Sequence, residues 1–439
     1  MKNNKNIYWA LSSIFICTIL YLIWPTAHTI ALRKLLLVLS AFVGLILWHR
    51  SEDRYVILKS PWLIFLGLLL AWVIFHAAFI SRNGNEAWRE FSGQWFPAYL
   101  AVFAGIGLAL AGRSINPHVF KIYLLAVLAT QPTIILITSI YNSIQIGHLD
   151  IGFKIGFLWT DLKPSLTFSS DMFAALACAK FLDSFELDRH SAKKYVWLLP
   201  IALAMSVAIF TGTKKSILLL SLCIMVMLVI LGFKLKFKQS LGLFAGAALI
   251  VAIAIYAIRT VPTLSHQWDS LASDIKVAVN VDEQNNWIDF YKLGLPKNDL
   301  GEEVSETVYL RIAYQKIGLR TILENPWGYG VTRKAFERLV QQKYPEASIA
   351  NAHNGYINLA SAVGFPGLIL FVLVIISIYR QLYQSGSEWA HPAAWIIGIY
   401  VIHWMIDPIE RDHFFQSYLF VIALLLTLTL NNTSQKIDK

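Results

Sequence analysis

Three basic residues of this 439-residue sequence could bind a phosphate group. Lys214 and Lys215 follow the short stretch Thr211-Gly-Thr between two apolar runs, where a helix is expected to start. The amides of a helix start, together with lysine, form an anion-binding site. Arg311 lies in a later polar segment, and its guanidinium is a rigid, bidentate donor for phosphate oxygens. The alternatives are that the lysines contact lipid headgroups and that Arg311 lies on a solvated helix face.

His353 is the candidate for proton transfer. It stands in Asn351-Ala-His-Asn-Gly-Tyr356, where the polar segment gives way to an apolar run. Histidine takes up and returns a proton near neutral pH, so His353 and Arg311 are the predicted catalytic residues. Asn354 and Tyr356 are predicted to support the site by orienting it. The alternative is that His353 only caps a helix.

The polar loop Asp407-Pro-Ile-Glu-Arg-Asp-His413 is a further candidate. Arg411 could bind an anion and Asp407 could order that arginine, unless the loop is an ordinary connection. His391 and His403 are isolated, which favours a loop position and a packing role, respectively. No GxxxxGK[ST] phosphate loop or CxxC motif occurs. No DxD-like acidic pair stands beside a basic loop, so we predict no metal and no cofactor.

Membrane-spanning helices must position these residues. Hydrophobic residues make up 56% of the chain and charged residues 15%, against about a quarter charged in soluble domains. A spanning helix needs about 20 mainly apolar residues, and this criterion predicts an all-α polytopic membrane protein with about twelve spans. The predicted spans are roughly 7–24, 31–48, 61–80, 94–112, 118–141, 167–183, 195–210, 216–233, 240–258, 354–379, 389–405 and 414–430.

The basic residues predict how the chain is oriented. The net charge of +10 comes from short clusters between apolar runs, which excludes nucleic acid as a partner. Alternate loops are basic, as in Lys234-Leu-Lys-Phe-Lys238, and such loops are cytoplasmic. Both termini then lie in the cytoplasm. The predicted organisation is spans one to nine in 1–258, a large helical loop domain outside the cytoplasm in 259–353, and the last three spans in 354–439. Within the loop domain, Tyr309–Leu323 is predicted to be a helix that stops at Asn325-Pro326. Gly364-Phe-Pro-Gly367 is predicted to be a kink or a close-packing site in the tenth span.

Three short stretches, in this order and spacing, resemble motifs of the O-antigen ligase family. They are Thr211-Gly-Thr-Lys214 for the family's Thr-Gly-Ser-Arg, Arg311 with Glu324-Asn-Pro-Trp-Gly-Tyr-Gly330 for its arginine ahead of a Pro-x-Gly-x-Gly turn, and His353-Asn354 with Gly364-Phe-Pro-Gly-Leu368 for its His-Asn block. The sequence departs from the family where Lys214 replaces arginine. Lysine binds phosphate as a point charge without the bidentate fork, so Lys214 and Lys215 are both candidates for this role.

The resemblance implies an O-antigen ligase of a Gram-negative inner membrane. Such an enzyme transfers a preassembled glycan from undecaprenyl pyrophosphate to lipid A–core in the periplasm, with inversion and without metal. The two lysines, Arg311 and Arg411 would bind the pyrophosphate, and His353 would accept the proton of the attacking hydroxyl. The implied partners are the lipid-linked glycan, the lipid A–core acceptor and membrane lipid. The alternatives are an O-antigen polymerase, a protein O-oligosaccharyltransferase and, from another class, a transporter or flippase.

Overall fold

The part of the chain that the structure describes is built from α-helices. The structure is a computed structural model that describes residues 2–24, 26, 28–147, 163–187, 192–211, 213–234, 270–408 and 412–430. In chain order its α-helices are α1 (Lys2–Ile23), α2 (Ile30–Arg50), α3 (Arg54–Leu58), α4 (Pro61–Phe75), α5 (Gly84–Glu90), α6 (Phe96–Arg113), α7 (Pro117–Ile146), α8 (Lys163–Leu187), α9 (Leu198–Phe210), α10 (Lys214–Lys234), α11 (Leu271–Val279), α12 (Phe290–Leu293), α13 (Glu306–Glu324), α14 (Ala335–Lys343), α15 (Gly355–Gln384), α16 (Ala390–His403) and α17 (Asp412–Thr429). Two π-helical turns, His76–Ile80 and Phe91–Trp95, extend α4 and join α5 to α6. These ranges contain no β-strand, which confirms the predicted all-α class.

Eight helical stretches in the described ranges are long and apolar enough to cross a membrane. They are Asn6–Ile23, Ile30–Arg50, Pro61–Ile80, Gly84–Arg113, Pro117–Ile146, Lys193–Phe210, Lys215–Lys234 and Gly355–Gln384. Each coincides with one predicted span, so the chain is a multi-pass membrane protein.

The remaining predicted spans are not among these eight. The last two, 389–405 and 414–430, form shorter apolar helices at Ala390–His403 and Phe414–Thr429. The span predicted at 167–183 is helical within α8, and the one at 240–258 lies outside the described residues. The total of about twelve spans therefore stays a prediction.

Helix α6 is the central packing element of the membrane-spanning part, because most of its residues in 97–112 are buried. A Cβ atom on Gly107 would lie 2.3 Å from the Cα atom of Gly44 in α2. A Cβ atom on Gly105 would lie 2.2 Å from the carbonyl oxygen of Phe420 in α17. Glycine at these crossings lets the helix backbones come close, which strengthens the van der Waals packing that drives helix association in membranes.

The outer segment, defined here as residues 270–353, has a hydrophobic core of its own. Trp287, Tyr309 and Phe336 are fully buried in it. The helix predicted at 309–323 is α13, which ends at Glu324 ahead of the predicted stop at Asn325-Pro326. This core is continuous with the start of α15, because a Cβ atom on Gly318 of α13 would lie 2.6 Å from Cγ2 of Ile357.

Candidate active site

The hairpin between α9 and α10 places Lys215 in the protein interior. At the end of α9, Oγ1 of Thr211 donates a hydrogen bond to a carbonyl oxygen one turn earlier, at 2.8 Å, and lies 2.9 Å from Oγ1 of Thr213. These hydroxyls hold the tight turn after which α10 begins at Lys214, whose side chain lies outside the described residues. Lys215 is only 9% exposed. Its ammonium group therefore needs a counter-charge within the protein.

That counter-charge is Asp407, in the turn after α16. Nζ of Lys215 contacts Oδ2 of Asp407 and lies 2.9 Å from Nε2 of His403. The same Nε2 atom lies 3.2 Å from Oδ2 of Asp407. Burial alone would raise the pKa of Asp407, but the hydrogen bond with His403 and the charge of Lys215 outweigh it and hold this pKa below its usual value. We refer to Lys215, His403 and Asp407 as the buried triad.

His403 is the member of the triad that the sequence analysis assigned only to packing. Its spacing of four residues from Asp407 was a usable signal, because such residues share one side of a helix. Asp171, one of the acids within the predicted sixth span, lies next to the triad. Oγ of Ser216, the neighbour of Lys215, donates to Oδ2 of Asp171 at 2.9 Å. The hairpin, α8 and the turn after α16 therefore share one buried polar network.

His353 lies where the outer segment enters α15. Its φ angle is +49°, and its amide donates a hydrogen bond to Oδ1 of Asn351 at 2.9 Å. A positive φ is uncommon for a residue with a side chain and persists where the surroundings hold it. The imidazole ring stacks on Tyr314 of α13, with an interplanar angle of 7° and a centroid distance of 6.4 Å. The outer segment therefore orients the predicted base.

Asn354 and Tyr356 attach this entry point to the end of α16 and the turn after it. Oδ1 of Asn354 caps α15 by accepting hydrogen bonds from two amides of the first turn, at 3.0 and 3.1 Å. Its Nδ2 donates to the carbonyl oxygen of Met405 at 3.2 Å, and the Tyr356 hydroxyl donates to that of Val401 at 2.9 Å. Met405 lies between two members of the buried triad in the chain. His353 is thereby connected to the triad through a short path of contacts.

Arg311 occupies the helical turn before Tyr314 in α13. Its side chain is half-buried, and it makes no hydrogen bond or ion pair with any residue that the structure describes. Arg320, further along the same helix, instead binds both carboxylate oxygens of Asp282, at 2.5 and 2.7 Å. The hydrogen bond from Arg320 holds the pKa of Asp282 below its usual value. Arg311 thus keeps its donors available for an anion, whereas Arg320 is occupied.

The turn Pro326–Gly330 attaches the end of α13 to a kink in α15. The φ angle is +77° at Gly328 and +70° at Gly364, where α15 is kinked as predicted. A Cβ atom on Gly328 would lie 2.7 Å from the amide nitrogen of Gly364, so the two backbones require glycine here. The amide of Tyr329 donates to the carbonyl oxygen of Ser361 at 2.7 Å. This contact holds α13, and with it Arg311, against α15.

The predicted site residues thus fall into two connected groups. Arg311 lies one helical turn before Tyr314, on which His353 stacks, and the buried triad is connected to His353 through the start of α15. Arg411 lies outside the described residues. No group of three or more His, Cys, Asp or Glu residues in the described ranges could hold a metal ion.

Comparison with protein families finds a match. Residues 199–372, less than half of the chain, match the family model described as O-antigen ligase. This part of the chain is therefore similar to the O-antigen ligase family. Members of that family are glycosyltransferase-like ligases and polymerases, which supports an enzymatic role for this chain. A search of curated proteins found no match.

The range that matches the O-antigen ligase family runs from α9 into α15. It contains the hairpin lysines, Arg311, the turn Pro326–Gly330 and His353, and it ends before His403 and Asp407. Two members of the buried triad therefore lie in the part of the chain beyond the family match.

Proposed function

We propose that this protein is an O-antigen ligase of the bacterial inner membrane. It transfers a preassembled polysaccharide from undecaprenyl pyrophosphate to a sugar of lipid A–core in the periplasmic leaflet, inverting the anomeric centre. Both termini are cytoplasmic and residues 259–353 form a periplasmic loop domain, as the basic alternate loops favour. The family match supports a lipid-linked glycan as the class of substrate.

The observation that carries this proposal is that α13 bears Arg311 and also Tyr314, on which His353 stacks. Arg311 has no counter-ion among the described residues, and the ring of His353 stacks on Tyr314 one helical turn further along. A cation that can take a leaving pyrophosphate and a base that can take a hydroxyl proton are the two groups that glycosyl transfer from a pyrophosphate needs.

In the proposed reaction, a hydroxyl oxygen of the acceptor sugar attacks the anomeric carbon of the donor glycan. His353 accepts the hydroxyl proton as the new glycosidic bond forms. The bond between the anomeric carbon and the phosphate oxygen breaks, and its electron pair leaves with undecaprenyl pyrophosphate. Arg311 stabilises the charge that grows on this leaving group. The proton on His353 then passes to the released pyrophosphate or to water, which restores the base.

The remaining predicted residues take supporting roles in this proposal. Lys214 and Arg411 bind the pyrophosphate together with Arg311. Lys215 contributes its charge from within the buried triad, where Asp407 orders it and partly neutralises it. Asn354 holds His353 in place through its bond to the turn after α16, and Tyr356 does so through its bond to Val401 within α16.

Deletion of the gene, followed by inspection of surface polysaccharide, tests the proposal. A ligase predicts that lipid-linked polymer accumulates and that the core stays bare. Complementation with the wild-type chain should restore capped core, and the His353→Ala chain should not. Core that carries a single repeat unit would instead indicate a polymerase. Unchanged lipopolysaccharide would contradict both and would indicate protein glycosylation or transport.

A further inference from the structure

A basic cavity lies at the start of α2. Its volume is about 190 Å³, several times the roughly 30 Å³ that one water molecule occupies in the liquid. Arg33 and Lys34 of α2 line it together with Arg333 of the outer segment. Nε of Arg333 also lies 2.8 Å from Oε1 of Glu90, so one carboxylate is already paired with this guanidinium. The contribution of Arg333 places this cavity on the side of the membrane where the outer segment lies. None of the residues assigned above to glycan transfer lines it.

The positions of Arg33 and Lys34 favour the binding of an anion. Both stand in the first turn or so of α2, which begins at Ile30, and the positive end of a helix dipole repels cations. They also lie on the outer side, where the inside-positive rule disfavours basic residues. Nη1 of Arg33 donates to the carbonyl oxygen of Trp24 at 2.8 Å, which holds the guanidinium at the cavity wall.

An uncharged side chain gives an independent indication of a ligand. Gln416 of α17 lines the cavity and is only 8% exposed. It makes no hydrogen bond with any residue in the described ranges, and the same holds for Lys34. Its amide group therefore has hydrogen-bond donors and an acceptor available to a molecule in the cavity.

The surroundings of the cavity favour a lipid over a free anion. Gln94 and Arg333 line both this cavity and an adjoining apolar crevice, which includes Trp95, Phe371 and Phe415. Gln94 belongs to the π-helical turn Phe91–Trp95, and such turns often occur at functional sites. A basic cavity that opens into an apolar crevice at a membrane boundary matches a phosphate group attached to hydrocarbon chains.

We propose that this cavity binds the phosphate group of a membrane lipid through Arg33, Lys34 and Arg333, with Gln416 as a hydrogen-bond donor. The ligand is identified by its phosphate and its hydrocarbon chains. The site is separate from glycan transfer, so its occupancy can be measured whether or not the chain proves to be a ligase.

Native mass spectrometry of the purified full chain in detergent tests this site. The probes are dioleoyl phosphatidic acid, dioleoylglycerol, which lacks the phosphate, and inorganic phosphate. We expect phosphatidic acid to bind the wild type, and to bind Arg33→Gln/Lys34→Gln roughly tenfold more weakly, because charge-assisted hydrogen bonds are lost. The matched control is Lys297→Gln/Lys334→Gln, which removes two exposed cations of the outer segment that do not line the cavity, and it should bind like the wild type.

Each other outcome would overturn part or all of the proposal. Equal binding by the double variant and the wild type would exclude the cavity as the phosphate site. Equal binding of dioleoylglycerol would show that the apolar crevice alone is recognised. Binding of inorganic phosphate as tight as that of phosphatidic acid would indicate a site for soluble anions. Lys34→Gln alone serves if the double variant misfolds, because this side chain is exposed and unbonded within the described ranges, and it should still weaken binding.

Discussion

The buried triad and the region around Arg311 differ in whether the protein supplies a counter-ion to the positive charge. Lys215 is almost fully enclosed, and the protein supplies its counter-ion through Asp407 and a further contact through His403. Arg311 is half-buried and has no counter-ion among the described residues. A charge enclosed in a protein interior must be paired, because its desolvation is otherwise uncompensated. A charge that binds a substrate must keep its donors available until the substrate arrives.

This contrast separates two functions that a basic residue can have, a structural one and a ligand-binding one. The triad resembles a structural element that joins α10 to the turn after α16, and through this turn it supports the entry to α15. Arg311 resembles a binding group, and Arg320 provides an internal reference because it lies on the same helix and is paired. The contrast predicts that changes in the two regions affect different measurements: stability for the triad and transfer for Arg311 and His353.

Removal of His353 should have the largest effect. His353→Ala should reduce glycan transfer by about 10²–10⁴-fold, since a general base contributes that much. Abundance and the melting temperature in detergent should change little. Transfer is measured as capped lipopolysaccharide and in vitro with purified lipid-linked donor. His118→Ala is the control, because this histidine is exposed and outside the candidate site. Normal capping by His353→Ala would exclude the general-base role.

Substitutions in the buried triad should chiefly lower the stability of the protein. Lys215→Met leaves Asp407 as a buried carboxylate without its cation, which should lower the free energy of unfolding by about 3–5 kcal/mol. The double change Lys215→Met/Asp407→Leu removes both charges and should recover much of that loss. Thermal unfolding in detergent measures both variants. If the single variant were as stable as the wild type, the triad would not be a structural element.

Substitution of Arg311 should chiefly reduce glycan transfer. Arg311→Gln should lower kcat/KM by about 10²–10³-fold, the usual effect of removing one donor to a developing anion. Its melting temperature should stay at the wild-type value, because no described ion pair is lost. Arg320→Gln is the matched control and should keep transfer close to that of the wild type. Equal losses of transfer in both variants would show that charge on α13, rather than the availability of Arg311, matters.

The smallest effect concerns pH. The pKa of Asp407 is depressed in the folded protein, so its contribution to stability is present above its unfolded pKa of about 3.9 and is lost as pH falls through the folded value. Without Lys215 the folded pKa should rise, and stability in the Lys215→Met variant should begin to fall at a higher pH. Melting temperatures between about pH 7 and 3 measure this shift. Identical pH profiles would contradict the coupling.

The sequence predicted those features that depend on neighbours in the chain. Apolar runs identified the helices that could cross a membrane, and the stop at Asn325-Pro326 identified the end of α13. The kink at Gly364 was predicted from the glycines and proline near it. The residues with suspected chemistry, such as Arg311 and His353, could be selected by type and position, because phosphate binding and proton transfer each require particular side chains.

Only the tertiary structure decided which of these residues meet. Lys215 and Asp407 are 192 positions apart in the chain, and no pattern along it predicts that they pair. The two lysines and Arg311 were equivalent as candidate phosphate ligands in the sequence. The structure distinguishes them, because Lys215 is enclosed with a carboxylate and Arg311 is not. Local composition determines where a helix forms, but the counter-ion of a charge depends on how helices far apart in the chain pack together.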